Sequence, residues 1–414
     1  MLHTLRDTPE RAQYELQLQL ALGDALTATR GYAVPEVGHA YTRAWTLCQQ
    51  LPETSQRFVA LFNLWRFYNI RAELRIDREL AEQLVTFAQS QGDPLHLMQA
   101  HFALGETLFR LGHLAAAYDH LTQSLTVAAR HLSHAWSDAE VIGTRVACLL
   151  YTGWVLWHLG YAHQGWSSAQ EALTLMHELS HPFTLAFAQA QALILQQFHR
   201  NYEAVYERAE ALLALSVERE FPFWLAYGTI LRGWTLAMQG HTAEGIAQMR
   251  QGLATWQHTG AELEKSYWLA LLAEGYGRGG QVEAGLRTLE ECFASVAKTG
   301  ECWWEAELHR LKGELLLLQS RGSALQSAMS SQTAGSRTLD AKAETSFHQA
   351  LTLAHRREAK ALELRAASSL SRLWQRQGKR REARALLAPI YGWFTEGFDT
   401  VDLREAKTLL DELS

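Results

Sequence analysis

The chain has 414 residues, 48% of them hydrophobic with only 7 prolines, and a formal net charge of −6. That length exceeds what one compact core usually holds, so several domains or an extended repeat array are expected, and the mild acidity argues against the excess of Lys and Arg that marks a nucleic-acid-binding protein. The N-terminal MLHTLRDTPERAQYELQLQL has no apolar stretch behind a basic start, no segment nears the roughly 18 uninterrupted apolar residues of a membrane span, and Cys48, Cys148, Cys292 and Cys302 form no paired framework, so a cytoplasmic protein with reduced thiols and no membrane partner is expected.

In chain order one unit recurs: an apolar helix with a small residue midway, a break, then a second helix opening near Ala or Gly. Helical hairpins are expected over 8–51 and 55–91, which are the least regular, then over 95–131, 139–180, 182–219, 222–259, 262–299, 302–357 and 360–393, with a closing helix at 401–413. The midway small residues are Gly105, Gly153, Gly233, Ala273, Gly313 and Ser371, while Leu193 fills the same place without being small. Between positions 153 and 313 the period is 40 residues. A second small residue follows twelve positions after the first, as in Gly153 and Gly165 or Gly233 and Gly245. Glycine inside a helix costs about 1 kcal/mol relative to alanine, so its recurrence implies two backbones crossing closely. Breaks such as RLGHL (110–114) and MQGHT (238–242) place Gly where a left-handed helix end requires it, and Asp93-Pro94, His181-Pro182 and Phe221-Pro222 mark junctions between hairpins.

Four segments depart from this pattern or imitate chemistry. His177, Glu178 and His181 match H-E-x-x-H, which on one helix can hold zinc with the glutamate activating water; here the motif runs into Pro182 at a hairpin end and reads as surface residues, with a zinc hydrolase as the remote alternative. Gly275, Gly277 and Gly280 match G-x-G-x-x-G, but they close a helix where a dinucleotide site must open one after a strand. After Gly313 the second small residue, Ala343, comes 30 positions on instead of twelve, so a flexible insert is expected over 320–341. The run from 356 to 384 is basic, with Lys379, Arg380, Arg381 and Arg384 forming a candidate patch for phosphates or an acidic partner, which otherwise reads as a solvated face.

The L-G-x-x-L helix, turn glycine and A/G-x-x-x-[LFM]-x-x-[AG] helix resemble the tetratricopeptide repeat, although 40 residues exceeds its usual period. The expected fold is therefore all-α: a tetratricopeptide-like α-α superhelix, a right-handed solenoid of about nine hairpins in a single domain. The segments CWWEAELHRLKGELLLLQ (302–319), FPFWLAYGTILRGWTLAMQG (221–240), HPFTLAFAQA (181–190), RAELRIDRELAEQL (71–84) and 363–413 resemble the C-terminal tetratricopeptide region of bacterial signalling proteins that carry a class III adenylate/guanylate cyclase domain and a P-loop ATPase domain. No G-x-x-x-x-G-K-[ST] occurs, so the resemblance implies the interaction or sensor part, not the catalytic one, either standing alone or as a fragment. On the repeat template Trp154, Trp157, Phe187, Tyr227, Trp234, Tyr267, Glu274 and Arg310 face the concave groove, unless longer helices bury the rings between hairpins. The expected function is non-catalytic binding of a protein or peptide, with a solenoid sensing a small effector for a signalling ATPase or cyclase as the alternative. No cofactor, metal or catalytic residue is expected.

Overall fold

The computed structural model describes residues 9–51, 56–131, 139–176, 182–327 and 334–414, and among these it contains nineteen helices and no strand. They follow one another as α1 (Pro9–Arg30), α2 (Pro35–Gln50), α3 (Gln56–Ile70), α4 (Leu74–Gln91), α5 (Pro94–Arg110), α6 (Leu114–His131), α7 (Ala139–Leu159), α8 (Ala162–Met176), α9 (Pro182–Phe198) and α10 (Tyr202–Glu218). The second half comprises α11 (Pro222–Met238), α12 (Thr242–His258), α13 (Lys265–Arg278), α14 (Val282–Thr299), α15 (Glu305–Ser327), α16 (Ala334–Arg356), α17 (Lys360–Arg376), α18 (Arg380–Gly392) and α19 (Val401–Glu412). Odd and even helices pair into hairpins, giving the all-α, tetratricopeptide-like superhelix.

Local chemistry sets the ends of these helices. Pro35, Pro94 and Pro222 stand in the first turn, where a missing N–H costs nothing, and Asp93 caps α5 by accepting from the Leu95 and His96 amides at 2.8 and 3.1 Å. The hairpins cross where the sequence is smallest. A Cβ built on Gly153 would lie 2.8 Å from the Gly165 carbonyl oxygen, and one on Gly165 would lie 2.7 Å from that of Gly153. Real Cβ atoms do not approach so closely, so any side chain here would force α7 and α8 apart.

The two helices of a hairpin have different jobs. The second helices carry one apolar stripe; in α4 the buried residues are Leu74, Asp77, Leu80, Ala81, Leu84 and Ala88, a helical face. Two of the first helices are buried all round over most of their length: on α5 every residue from Ala100 to Arg110, and on α9 every residue from Ala190 to Phe198. Something therefore covers the face that an open solenoid would leave to solvent.

That cover is the next turn of the superhelix. The Ile70 carbonyl at the turn of the second hairpin accepts from the Glu262 and Leu263 amides, ahead of the seventh. The Arg110 carbonyl in the third accepts from the Cys302 amide ahead of the eighth, Gly160 in the fourth abuts Lys360 at the start of the ninth, and Arg200 in the fifth pairs with Asp402 of α19. One superhelical turn thus takes about five hairpins, and successive turns touch.

One expectation changes on this scaffold. The segment 320–341 is not simply a loop: α15 continues to Ser327 and α16 begins at Ala334, so extra residues lengthen the hairpin arms, and 328–333 lie outside the described residues. His177, Glu178 and His181 also lie outside them, α8 ending at Met176.

Candidate functional site

Tight winding converts the concave surface into two cavities separated by a packed central layer. Helix α9 runs from one to the other: Phe183, Thr184 and Phe187 line the N-terminal cavity, Gln197 lines the C-terminal one, and residues 190–196 between them are buried.

The central layer is aromatic and ionic. Trp154, with no exposed surface, packs against Phe109, Phe198 and Trp303 at ring separations of 5.8, 5.4 and 5.9 Å and donates its indole N–H to the Gln191 carbonyl at 3.0 Å. Tyr267 donates to Gln197 Oε1 at 2.8 Å and Tyr227 to Glu264 Oε2 at 2.6 Å. Trp157 is buried with the Arg365 guanidinium 4.8 Å over its ring. These four rings were expected in an open groove; with about five hairpins per turn the groove closes on itself, and Trp154, Trp157, Tyr227 and Tyr267 become core. At the heart of the layer Arg110 reaches Glu264 Oε1 at 2.7 Å, Glu301 at 3.7 Å and Glu106 at 3.8 Å, and donates to the Tyr151 hydroxyl. Three carboxylates share one guanidinium. Burial pushes the Glu301 carboxyl up to about 7 against the pull of Arg110.

The C-terminal cavity, of about 480 Å3, is lined by the inner helices α9, α11, α13, α15 and α17 together with α19. Its floor is a lattice of opposite charges on an apolar base of Leu271, Leu311, Leu315 and Leu318. Arg310 forks onto both oxygens of Glu307 at 2.8 and 2.7 Å, Arg365 donates to Asp402 at 2.7 Å and to the Phe198 carbonyl at 2.7 Å, and Glu405 takes Arg200 on one oxygen and Arg372 on the other, each at 3.0 Å. Burial alone would raise Glu307 and Asp402, yet the guanidinium groups of Arg310, Arg365 and Arg200 hold both below their ordinary range. Trp234 is buried with its N–H on Glu274 Oε2 at 2.8 Å, so Trp234, Glu274 and Arg310 come together here. Phe187 lies in the other cavity. At the rim Glu314, Arg372 and Glu405 keep about two-fifths of their side chains in solvent, and Arg278 is exposed.

Glu307, Arg365, Arg372, Asp402 and Glu405 escaped the sequence reading. A signal existed: Glu307, Arg310 and Glu314, and likewise Arg365 and Arg372, are spaced by helical turns on one side of α15 and of α17. Of the basic patch, all four residues are exposed, but Lys379 approaches Glu344 at 3.9 Å, Arg380 donates to the Glu412 carbonyl and Arg384 to Ser414 Oγ, so much of its charge serves the chain's own end. Among the described residues no group of three or more His, Cys, Asp or Glu is placed to hold a metal ion, and no helix is long and apolar enough to cross a membrane.

No family model matches the chain. An uncharacterised protein of Rhizobium meliloti (strain 1021) is 20% identical over 303 residues, 71% of this chain and 29% of that protein, so the chain spans less than a third of the curated relative it matches. Among solved structures, a Rap protein complexed with Competence and Sporulation Factor covers 98% of this chain and 100% of its own at a TM-score of 0.60 and 12% identity. The Rap conjugation gene regulator of the plasmid pLS20, in complex with the Phr* peptide, covers 97% and 96% at a TM-score of 0.50 and 11% identity. At such identities the likeness is one of fold.

Proposed function

We propose that the chain is a non-catalytic regulatory module of the cytoplasm whose C-terminal cavity holds a peptide or an extended protein segment, and that it acts with, or as part of, a cyclase/ATPase signalling protein. The observation that carries this reading is the cavity itself: an apolar base framed by paired charges, with Glu314, Arg372, Glu405 and Arg278 accessible at the rim. An apolar side chain of the partner settles on Leu311, Leu315 and Leu318, and its flanking charges exchange with the rim pairs. Such exchange contributes selectivity and correct register more than affinity, because each new pair replaces an old one. The described complex of the pLS20 Rap regulator with a peptide supports a peptide occupant for this fold.

The test is selection of ten-residue peptides from a displayed random library on the immobilised chain, followed by calorimetric titration of the winners. A Glu314→Ala/Arg372→Ala double variant that keeps the parent melting temperature is expected to bind about tenfold more weakly, a loss of about 1.4 kcal/mol. Recovery of no saturably binding peptide, or equal binding by the double variant, removes this reading.

A further inference from the structure

The N-terminal cavity, about 450 Å3 in size, is lined by one guanidinium, Arg66, and by two carboxylates, Asp24 and Glu140. Arg66 and Asp24 both line it, yet no ion pair joins them among the described residues. Arg66 is partly buried amid aromatic rings, its guanidinium carbon 5.0 Å from the Trp65 ring centre, 5.4 Å from Phe62, 5.8 Å from Phe102 and 6.0 Å from Tyr32. Those faces and the Tyr32 hydroxyl compensate part of the lost hydration of the cation, but a ring face does not accept the in-plane fork of N–H groups. Its Nε is buried without an acceptor. A buried charged donor left unserved is costly, and a planar carboxylate meeting it edge-on would relieve that cost.

Asp24 is the other half of the site. One oxygen accepts from the Tyr41 hydroxyl at 2.8 Å and, more weakly, from Asn63 Nδ2 at 3.5 Å, while among the described residues no cation pairs with the carboxylate. Asn63 and Arg66 stand three residues apart on α3, one helical turn, so the amide that reaches Asp24 of α1 and the guanidinium share one side of that helix. The remaining wall carries the rings of Phe62, Phe102, Phe183 and Phe187 beside the polar Gln99, Thr144 and Thr184, with Glu140, an exposed residue, as a second carboxylate. His96 adds no charge, since burial lowers its pKa and its ring stacks on Phe58 at 4.1 Å. The cavity falls within the roughly 300–1,000 Å3 of small-molecule sites.

We propose that this cavity binds a free aromatic α-amino acid, its carboxylate on Arg66, its ammonium group on Asp24 and its ring among the four phenylalanines. A lone anion would leave Asp24 uncompensated and a lone amine would leave Arg66 so; a zwitterion serves both. The site is separate from the C-terminal cavity and stands whether or not a peptide occupies that one.

Titration calorimetry of the full chain with L-phenylalanine, L-tyrosine and L-tryptophan tests it, with 3-phenylpropanoate and 2-phenylethylamine as probes lacking one charge each. Saturable one-site binding of at least one amino acid is expected, with at least a tenfold weaker response to both single-charge analogues and to Arg66→Gln. Should Arg66→Gln fail to fold, Val59→Trp places an indole at the partly exposed mouth of the cavity and is expected to block binding without touching the charges. The Glu314→Ala/Arg372→Ala variant is expected to bind the amino acid as the parent does, which separates this site from the peptide site. Absence of saturable binding by all three amino acids overturns the proposal, as does an analogue that binds as tightly as its amino acid, or unchanged binding by whichever of Arg66→Gln and Val59→Trp folds.

Discussion

Arg200 sits where other hairpins place glycine. The turns at Gly112, Gly160, Gly240 and Gly280 adopt left-handed backbone, and Arg200 does so with φ of 57°. A non-glycine residue there carries a steric cost of about 1 kcal/mol. Its side chain holds Asp402 and Glu405 of the last helix, which a glycine could not do. Two substitutions separate strain from pairing: both Arg200→Ala and Arg200→Gly lose the ion pairs, but only glycine relieves the backbone. Urea denaturation should therefore find Arg200→Gly more stable than Arg200→Ala by about 1 kcal/mol. The Arg110 cluster gives a pH-dependent counterpart. Glu301, raised by burial from 4.5 to about 7, keeps its proton in the folded chain after the unfolded chain has released it. Stability is thus unaffected by this group below about 4.5, falls as pH rises towards 7, and stays lowered above it. Glu301→Gln is expected to reduce the drop in melting temperature between pH 5 and pH 8; an unchanged drop would assign the pH dependence elsewhere.

At the scale of the helix, the same change of glycine to alanine is expected to act in opposite directions. Gly245 on α12 lies against α11, where a Cβ would come within 2.6 Å of the Ala237 amide nitrogen, whereas Gly322 on α15 has nothing near it. Gly245→Ala should cost about 1–3 kcal/mol through forced separation of the helices. Gly322→Ala should gain about 0.5–1 kcal/mol through helix propensity alone. Differential scanning calorimetry of the two variants checks both, and no gain at Gly322 would mean that helix propensity at this position does not contribute to stability. Here the sequence was most informative: paired small residues report backbone crossings within 40 residues of each other, an interaction local enough for spacing to reveal. The burial of α5 and α9 on all sides was not visible in this way, because Glu106, Arg110, Gln191 and Gln197 are buried among their apolar residues. What such a helix packs against was not visible, so Trp154, Tyr227 and Tyr267 were assigned to an open face. The inner charges of α15 and α17 were passed over for the same reason: Glu307 and Arg365 acquire their meaning only when Asp402 arrives from α19.

Across the whole molecule, contacts between successive turns change the physics of the repeat. An open solenoid is held by neighbours alone and unfolds in pieces. In this chain Ile70 is tied to Leu263 and Arg110 to Glu301 and Cys302, so an early hairpin cannot leave without exposing the core of a late one. Urea unfolding followed by tryptophan fluorescence and by far-ultraviolet circular dichroism should give coincident transitions; separated midpoints would show that the turns are independent. The two cavities belong to this scale as well, since each is bounded by inner helices of different hairpins and exists only because winding brings them round.

The pairing of hairpin turns with linkers five places further on also fixes how this chain can evolve. Open arrays lengthen and shorten by whole units, because a new unit needs only to match its two neighbours. Here removal of one unit would shift every later linker out of phase with the turn it meets: with 222–261 deleted, the Arg110 carbonyl would face what is now the entrance to the ninth hairpin instead of Cys302. The unit count therefore behaves like a gear ratio, conserved by the winding and not by any single repeat.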